Sequence, residues 1–324
     1  MVSSSRGILP ILIASLLWGT TGTAAHFLPA GAGPLAIGAA TMAIGGTLLF
    51  ALSARGALRV IRDRTLRRAV VAGVAGIVVY PLAFYSSMHL AGVAIGAVVS
   101  LASAPVFAAA IDFALDRRGI TRRWAASTAV ALAGTVLLVG ARPSATDGAA
   151  SAAPFGVLLG LLAGLSYALY TDSSHRVIAA GHGSSSAMGA LFGLGAVFLL
   201  PVLALTGAPL LQSAGSLGVT AYLAIGPMFL AYLLFGSGLR TVRGSTATTV
   251  TLVEPLVATI LAILVVGERL GPAGWIGLTL VMAGVSALVM PGRRKNQAAL
   301  VESGHARAEA DGAGRPRTSR NARR

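Results

Sequence analysis

The 324-residue chain contains no cysteine and a single lysine, Lys295. Without thiols there is no disulfide framework, no iron–sulfur cluster and no thiolate metal site, and the redox compartment is not encoded in cysteine usage. A phosphate-binding loop of the G-x-x-x-x-G-K-[ST] kind needs Ser or Thr after its lysine, whereas Asn296 follows Lys295; ATP hydrolysis through such a loop is excluded. A Schiff base of the retinal type would need a lysine within an apolar run, and Lys295 lies outside all of them. The five histidines (His26, His89, His175, His182, His305) lack H-x-x-x-H spacing, so neither a metal nor a cofactor is expected. Charge is scarce as well. Asp, Glu, Lys and Arg make up 11% of the residues, against about 25% in a soluble domain, too few to coat a water-facing surface.

What the chain has in plenty is apolar: 55% hydrophobic residues and 41 glycines, with mean hydropathy +0.80. Glycine is commoner in membrane helices than in soluble ones. These features specify an all-α integral membrane protein. A spanning helix takes about 20 mostly apolar residues, and ten such runs can be read: Gly7–Leu28, Gly33–Ser53, Ala69–Met88, Ala91–Leu115, Trp124–Ala141, Phe155–His175, Ser184–Leu205, Leu217–Gly238, Ser245–Val266 and Gly274–Met290. The first has a basic residue before it and small residues at its end, as a signal peptide does. Its length and the nine runs after it favour an uncleaved helix.

The formal charge of +15 would suit a nucleic-acid binder if it were spread over a surface. It is not. With the N-terminus and Arg6 inside, the inner connections hold Arg55, Arg59, Arg62, Arg64, Arg67 and Arg68, then Arg117, Arg118, Arg122 and Arg123, then Arg176, then Arg240 and Arg243. The outer connections hold only Arg142 and Arg269, so 23 of the 25 basic residues fall on one side. Lys and Arg collect in short cytoplasmic loops, which predicts both termini in the cytoplasm of a multi-pass plasma-membrane protein. The tail 291–324 carries nine of the basic residues and almost no large apolar ones. It is expected to be disordered and to rest on anionic lipid, with no nucleic-acid partner.

An internal repeat runs through the spans. At an offset of 150 residues, Tyr85 falls on Phe235, Ser87 on Ser237, Pro105 on Pro255, Ala133-Gly134 on Ala283-Gly284 and Leu138-Val139 on Leu288-Val289. Two five-helix halves, 7–141 and 155–290, would have opposite orientations because five is odd, giving the inverted repeat of secondary transporters. Mid-helix prolines recur in both halves: Pro81 and Pro227 in the third helix of each, Pro105 and Pro255 in the fourth. A proline removes one backbone hydrogen bond and bends a helix, so these four are candidates for gates or helix breaks beside a site; shaping of helix packing is the alternative. The spaced glycines Gly156, Gly160 and Gly164, with Gly92/Gly96 and Gly189/Gly193, read as close helix packing.

Polar groups within the spans carry the functional signal, since an ionisable side chain there costs about 3 kcal/mol on insertion scales. Glu254, some ten residues into the ninth span and directly before Pro255, is a candidate to exchange a proton or pair with an amine; a hydroxyl from Thr249 or Thr251 could instead satisfy it. Asp112 and Asp172 lie near arginines Arg117 and Arg176 and are expected to form interfacial ion pairs. Glu268-Arg269 is expected to cap the ninth span or anchor the loop after it. Trp18 and Thr20 in the first span, Tyr80 and Phe84 in the third, Tyr167 and Tyr170 in the sixth and Tyr232 in the eighth lie away from the interface where aromatics usually sit. As a set they are candidates for the lining of a hydrated cavity, with core packing as the alternative for each.

Several runs resemble a known family. L-V-E-P-L-V-A-T-I-L-A-I-L-V-V-G-E-R-L followed by G-W-I-G-L-T-L-V-M-A-G-V, and in the first half L-A-S-A-P-V-F-A-A-A followed by W-A-A-S-T-A-V-A-L-A-G-T, look like the end of an EamA domain. The opening L-L-W-G-T-T-G-T-A and the later L-S-Y-A-L-Y-T are similar to the starts of its two copies. The resemblance covers nearly all of residues 7–290 and places the chain in the drug/metabolite transporter superfamily. It implies ten spans in two tandem five-helix copies, and transport of small metabolites, often export of amino acids or related compounds. One departure stands out: the first half has Ala104-Pro105 where the second has Glu254-Pro255, and Asp116-Arg117-Arg118 near where the second has Gly267-Glu268-Arg269. The expectation is therefore a non-enzymatic secondary transporter working by alternating access. Its partners would be a small-molecule substrate, the lipid bilayer and, as candidates, a proton and a second copy of the chain. The rival reading is a scaffold or sensor acting through the basic tail; a membrane enzyme would need a G-x-S-x-G or His/Asp cluster that the sequence does not supply.

Overall fold

The computed structural model describes residues 2–91, 93–117, 119–140, 153–266 and 271–289. The chain divides into Met1–Val289 and Met290–Arg324; the second unit, and with it the expected disordered tail, lies outside the described residues, as do Arg142 and the Glu268-Arg269 cap. Among the described residues all regular structure is helical. That follows from the sequence, because a chain in lipid must satisfy its backbone within each segment.

The first half comprises α1 (Val2–Gly19), α2 (Thr21–Ala25), α3 (Pro34–Leu52), α4 (Ala54–Arg62), α5 (Arg67–Ala91), α6 (Val93–Asp116) and α7 (Arg122–Gly140). The second comprises α8 (Ala153–Ala179), α9 (Ser184–Thr206), α10 (Ala214–Leu223), a π-helical segment Ala224–Leu230, α11 (Ala231–Gly238), α12 (Gly244–Val250), α13 (Val253–Leu261), a second π segment Ala262–Val266 and α14 (Pro272–Val289). Over its described residues each of the ten expected runs is mainly helical, with breaks at Thr20 in the first and at Thr251-Leu252 in the ninth. Among the described residues, eight helical stretches are long and apolar enough to cross a membrane. Of the other two, α7 opens on Arg122-Arg123 and carries Ser127, Thr128 and Thr135, which lower its hydropathy. The last helix, α14, has 18 residues, near the lower end of the roughly 17–25 that can span.

Two local departures from the sequence expectation have clear causes. The arginine-rich connection after the second span forms a helix, α4, whose Ala57 and Val60 are buried while Arg55, Arg59 and Arg62 are exposed, a pattern suited to the membrane interface. The first run breaks at Thr20, whose hydroxyl bonds the Leu17 carbonyl at 2.7 Å, so α1 and α2 are separate helices.

Helices from the two halves pack on each other: α5 along α8, α3 along α9, α7 along α14, α6 against α8, and α1 against α11 and α13. Glycines allow the close passages. A Cβ on Gly134 of α7 would lie 2.6 Å from the Gly277 carbonyl oxygen and the Val281 nitrogen of α14; one on Gly284 would lie 2.6 Å from the Ala131 nitrogen of α7. Both obstacles are backbone, which cannot rotate aside. Gly134→Ala is expected to destabilise the protein by about 1–3 kcal/mol, the usual range for over-packing, read as a lower melting temperature in detergent; an unchanged melting temperature would show that α7 and α14 separate freely.

Polar contacts join the arginine-bearing connections at one end of the bundle. Arg176 donates to Asp172 at 2.7 Å and to Asp116 at 3.0 Å, so the expected pairing of Asp172 holds and extends to a second acid. For Asp112 the expected Arg117 partner gives way: its carboxylate accepts the Ser245 hydroxyl at 2.6 Å, because α6 packs against α12. Trp124 Nε1 donates to the Ser245 carbonyl at 3.3 Å, and Arg123 Nε to the Ala287 carbonyl at 2.9 Å. In the connection before α5, Asp63 accepts from the Thr65 hydroxyl at 2.6 Å and faces His182 at 3.3 Å. These contacts, the Thr65 hydroxyl first, hold the Asp63 carboxyl below its ordinary value.

Candidate functional site

Midway between the ends, helices of both halves surround a cavity of about 110 Å³. Trp18, the last residue but one of α1, forms one wall, with Tyr232 of α11 5.0 Å away between ring centroids. Facing them, α5 contributes Tyr80, Pro81, Phe84 and Tyr85, and α8 contributes Tyr167 and Tyr170. Thr41 and Met42 of α3 and Pro227 and Met228 of the first π segment close the sides, and Glu254 of α13 completes the lining. Gly38 belongs to the wall because it leaves room on α3 for the Tyr85 ring.

The rings form a continuous series. From Trp18 the contacts pass to Tyr232, then at 4.2 Å to Phe192 behind the wall, and at 5.7 Å to Tyr170. Tyr170 stacks on Tyr167 at 5.1 Å, Tyr167 meets Tyr80 at 5.7 Å, and Tyr80 stacks on Phe84 at 5.5 Å. Aromatic pairs at these separations add about 0.5–1.5 kcal/mol beyond area burial, which fixes the wall. Two hydrogen bonds hold the rings in place. Tyr170 and Tyr232 share one at 3.0 Å between their hydroxyls, across α8 and α11. Tyr167 donates to Thr251 Oγ1 at 3.0 Å, and Thr251 donates onward to the Thr248 carbonyl at 2.9 Å.

Glu254 is placed by a broken helix. Pro255 has no N–H to return to the Thr251 carbonyl, and the Glu254 N–H takes that carbonyl instead, at 2.9 Å. The ladder is interrupted at Thr251 and Leu252, so α12 ends and α13 begins, with Glu254 in its first turn, the end of a helix that attracts negative charge. The Thr249 and Thr251 hydroxyls that could have satisfied the carboxylate are engaged elsewhere: Thr249 with Thr128 at 3.1 Å and with the Ser245 carbonyl, Thr251 as above. The Glu254 side chain is partly exposed and lines the cavity.

Of the residues singled out in the sequence, the structure brings Trp18, Tyr80, Phe84, Tyr167, Tyr170, Tyr232, Glu254, Pro81 and Pro227 to this one cavity. Thr20 is elsewhere: its hydroxyl meets that of Tyr222 at 2.7 Å on an exposed face, and Thr21 takes its place in the wall. The prolines divide. Pro255 sits at the break and Pro227 within a π-helical turn, a form frequent at functional sites; Pro81 and Pro105 lie inside helices that continue through them. Pro105 is buried away from the lining.

The matches to known proteins agree with this architecture. The EamA-like transporter family matches the chain twice, over residues 5–140 and 154–290. The uncharacterized transporter YwfM of Bacillus subtilis (strain 168) is 32% identical over 289 residues, 89% of this chain and 95% of that protein. The uncharacterized inner membrane transporter YicL of Salmonella typhimurium (strain LT2) is 26% identical, covering 92% of this chain and all of the relative. A solved crystal structure superposes with a TM-score of 0.74 at 22% identity, over 88% of this chain and 96% of the other, a likeness of fold. Such transporters imply a lipid environment and a small-molecule substrate, and this multi-pass membrane chain belongs to the EamA-like transporter family.

Proposed function

We propose that the chain is a secondary transporter that moves a small metabolite across the plasma membrane by alternating access. Its ten spans would form two inverted five-helix repeats, 7–141 and 155–290, with both termini in the cytoplasm. The observation that carries this is the central cavity, an aromatic pocket with one carboxylate, walled by helices of both halves.

The helix pairing supports the repeat. Exchange of the halves turns α5 on α8 into α1 on α11, and α6 on α8 into α1 on α13; it maps α3 on α9 and α7 on α14 onto themselves. Gly134 and Gly284, 150 residues apart, make reciprocal close contacts in the last of these pairs. Different polar contacts tie the two ends: Asp112 with Ser245 and Arg176 with Asp116 at the arginine-rich end, Thr20 with Tyr222 at the other. A carrier that opens to one side at a time needs two such closures, made and broken in turn. The arginine-rich end is the cytoplasmic one by charge placement. The direction of net flux is read as export from the family resemblance, and the proton as coupling ion from Glu254.

A metabolite comparison by mass spectrometry, inside and outside cells that make the protein or lack it, tests the transporter reading. At least one small metabolite is expected to be depleted inside and enriched in the medium, and equally so after deletion of residues 291–324. Identical metabolite profiles, together with a cellular phenotype lost on removing the tail, would replace the transporter by a scaffold acting through that tail.

A further inference from the structure

The cavity has a charge pattern that specifies more than "small metabolite". We infer that it takes small monovalent organic cations that carry no carboxylate, amines or quaternary ammonium compounds, held between aromatic faces with Glu254 as counter-ion. This rests on the cavity being the cargo site.

Three observations lead there. Among the described residues the lining contains one acidic side chain, Glu254, and no Lys, Arg or His. A pocket with a single carboxylate repels anions and attracts a single positive charge. Second, no donor among the described residues bonds the Glu254 carboxylate: Thr249 and Thr251 are turned to other partners. The nearest titratable neighbours are phenols, Tyr80 and Tyr85 of α5, Tyr167 of α8 and Tyr232 of α11, each within electrostatic reach of it. A carboxylate held in low dielectric without a partner is costly, and a bound cation offsets that cost. Third, the walls are ring faces and thioethers. A cation over an aromatic face gains about 0.5–2 kcal/mol, and Met42 and Met228 are polarizable enough to pack around a methylated nitrogen.

The same pattern excludes a class that the family resemblance admits. An amino acid brings its own carboxylate, and this pocket offers it neither a cationic side chain nor space far from Glu254. Two like charges a few ångströms apart in low dielectric repel strongly, so the carboxylate of a zwitterion works as the element that rejects it. Size points the same way. At about 110 Å³ the space is near that of an apolar cavity of roughly 150 Å³ known to hold one benzene ring, room for a compact head group and little else.

Three probes of similar shape separate the terms: choline, its uncharged carbon isostere 3,3-dimethylbutan-1-ol, and glycine betaine, which adds a carboxylate to the same head. Calorimetric titration of the full chain in lipid nanodiscs is expected to show choline binding at least about tenfold more tightly than either of the others, the factor a contact to a charged group supplies. Tyr85→Phe should retain choline binding because it keeps the ring face, and Tyr85→Leu should weaken it severalfold. Choline binding no tighter than the neutral isostere, or no tighter than betaine, overturns the inference, and so does the absence of choline binding; none of these comparisons depends on a variant that folds. Flux assays in proteoliposomes keep this inference apart from the reading it rests on. Choline that binds without being carried leaves the cation site and removes the transporter. A carried metabolite that competes with betaine and ignores choline does the reverse.

Discussion

Replacing Glu254 by glutamine is expected to abolish uphill transport in proteoliposomes while leaving the folded protein intact. Glutamine matches glutamate in volume and rotamers, so the break at Pro255, the start of α13 and the packing of Val253 and Leu256 are preserved. What it removes is a negative charge that can hold either a proton or a cationic substrate. If the two compete for one carboxylate, a proton gradient drives substrate the other way, and among the described residues no other group in the lining is suited to the exchange. The phenols of Tyr80, Tyr85, Tyr167 and Tyr232 face Glu254 from α5, α8 and α11, but a phenol is ordinarily neutral at pH 7. A contact to a charged group contributes about 1.5–3 kcal/mol, so substrate affinity should fall about tenfold to a hundredfold. The response of flux to an imposed pH gradient should vanish altogether. The measurement is uptake of the identified substrate with and without that gradient, alongside a melting curve to show that the variant is folded. A variant that keeps both the rate and the pH response of the parent removes Glu254 from the coupling step.

The reach of the sequence can be seen in these same residues. Hydropathy made the fold readable, because lipid permits so few backbone solutions that apolar runs of span length must be helices. Glu254 stood out for the same reason: an acid deep in such a run has no routine explanation. The aromatic residues of the cavity were visible as mid-span exceptions, yet Tyr85, Thr21, Met42 and Met228 were not. Tyr85 is four residues from Pro81 and on its face of α5, a spacing that could have flagged it, but its depth resembles that of any packed tyrosine. Methionine in an apolar run carries no mark at all. Thr20 bonds Tyr222 on an exposed face and Thr21 lines the cavity instead, because α1 ends at Gly19 and α2 begins at Thr21, a break that the apolar run does not announce. The prolines illustrate a further limit. Residue type predicts a missing hydrogen bond at all four, but whether the helix breaks depends on what the surroundings offer. At Pro255 the Glu254 N–H takes the free carbonyl of Thr251; at Pro81 and Pro105 the helices run on.

The second large effect is expected at Gly19, where α1 crosses α13. A Cβ there would lie 2.5 Å from Val257 Cβ and 3.0 Å from the Glu254 carbonyl oxygen, so a Gly19→Val chain cannot keep the crossing. The neighbouring atom is the branch point of a β-branched side chain, which no rotamer change moves, and the other is backbone. The helices must separate, and they are the ones that carry Trp18 and Glu254 into the cavity wall. The variant should still insert, since its hydropathy rises, but substrate flux should drop at least about tenfold, in keeping with the cost of small displacements of positioning groups. Gly22, three residues on, is the control: nothing lies within 4 Å of a Cβ built there, so Gly22→Val should transport as the parent does. Val257→Gly added to Gly19→Val makes room at the contact and should recover part of the flux, a coupling that independent sites would not show. The equivalent crossing in the other half, Gly164 of α8 against the Ser100 carbonyl of α6 at 2.8 Å, is as tight, but α6 carries Ala104 where α13 carries Glu254. Gly164→Val should therefore lower the melting temperature as Gly19→Val does, and leave substrate affinity less affected. Equal loss of affinity in both would mean that the crossings matter for the bundle as a whole; unequal loss, greater at Gly19, ties the α1–α13 crossing to the carboxylate itself.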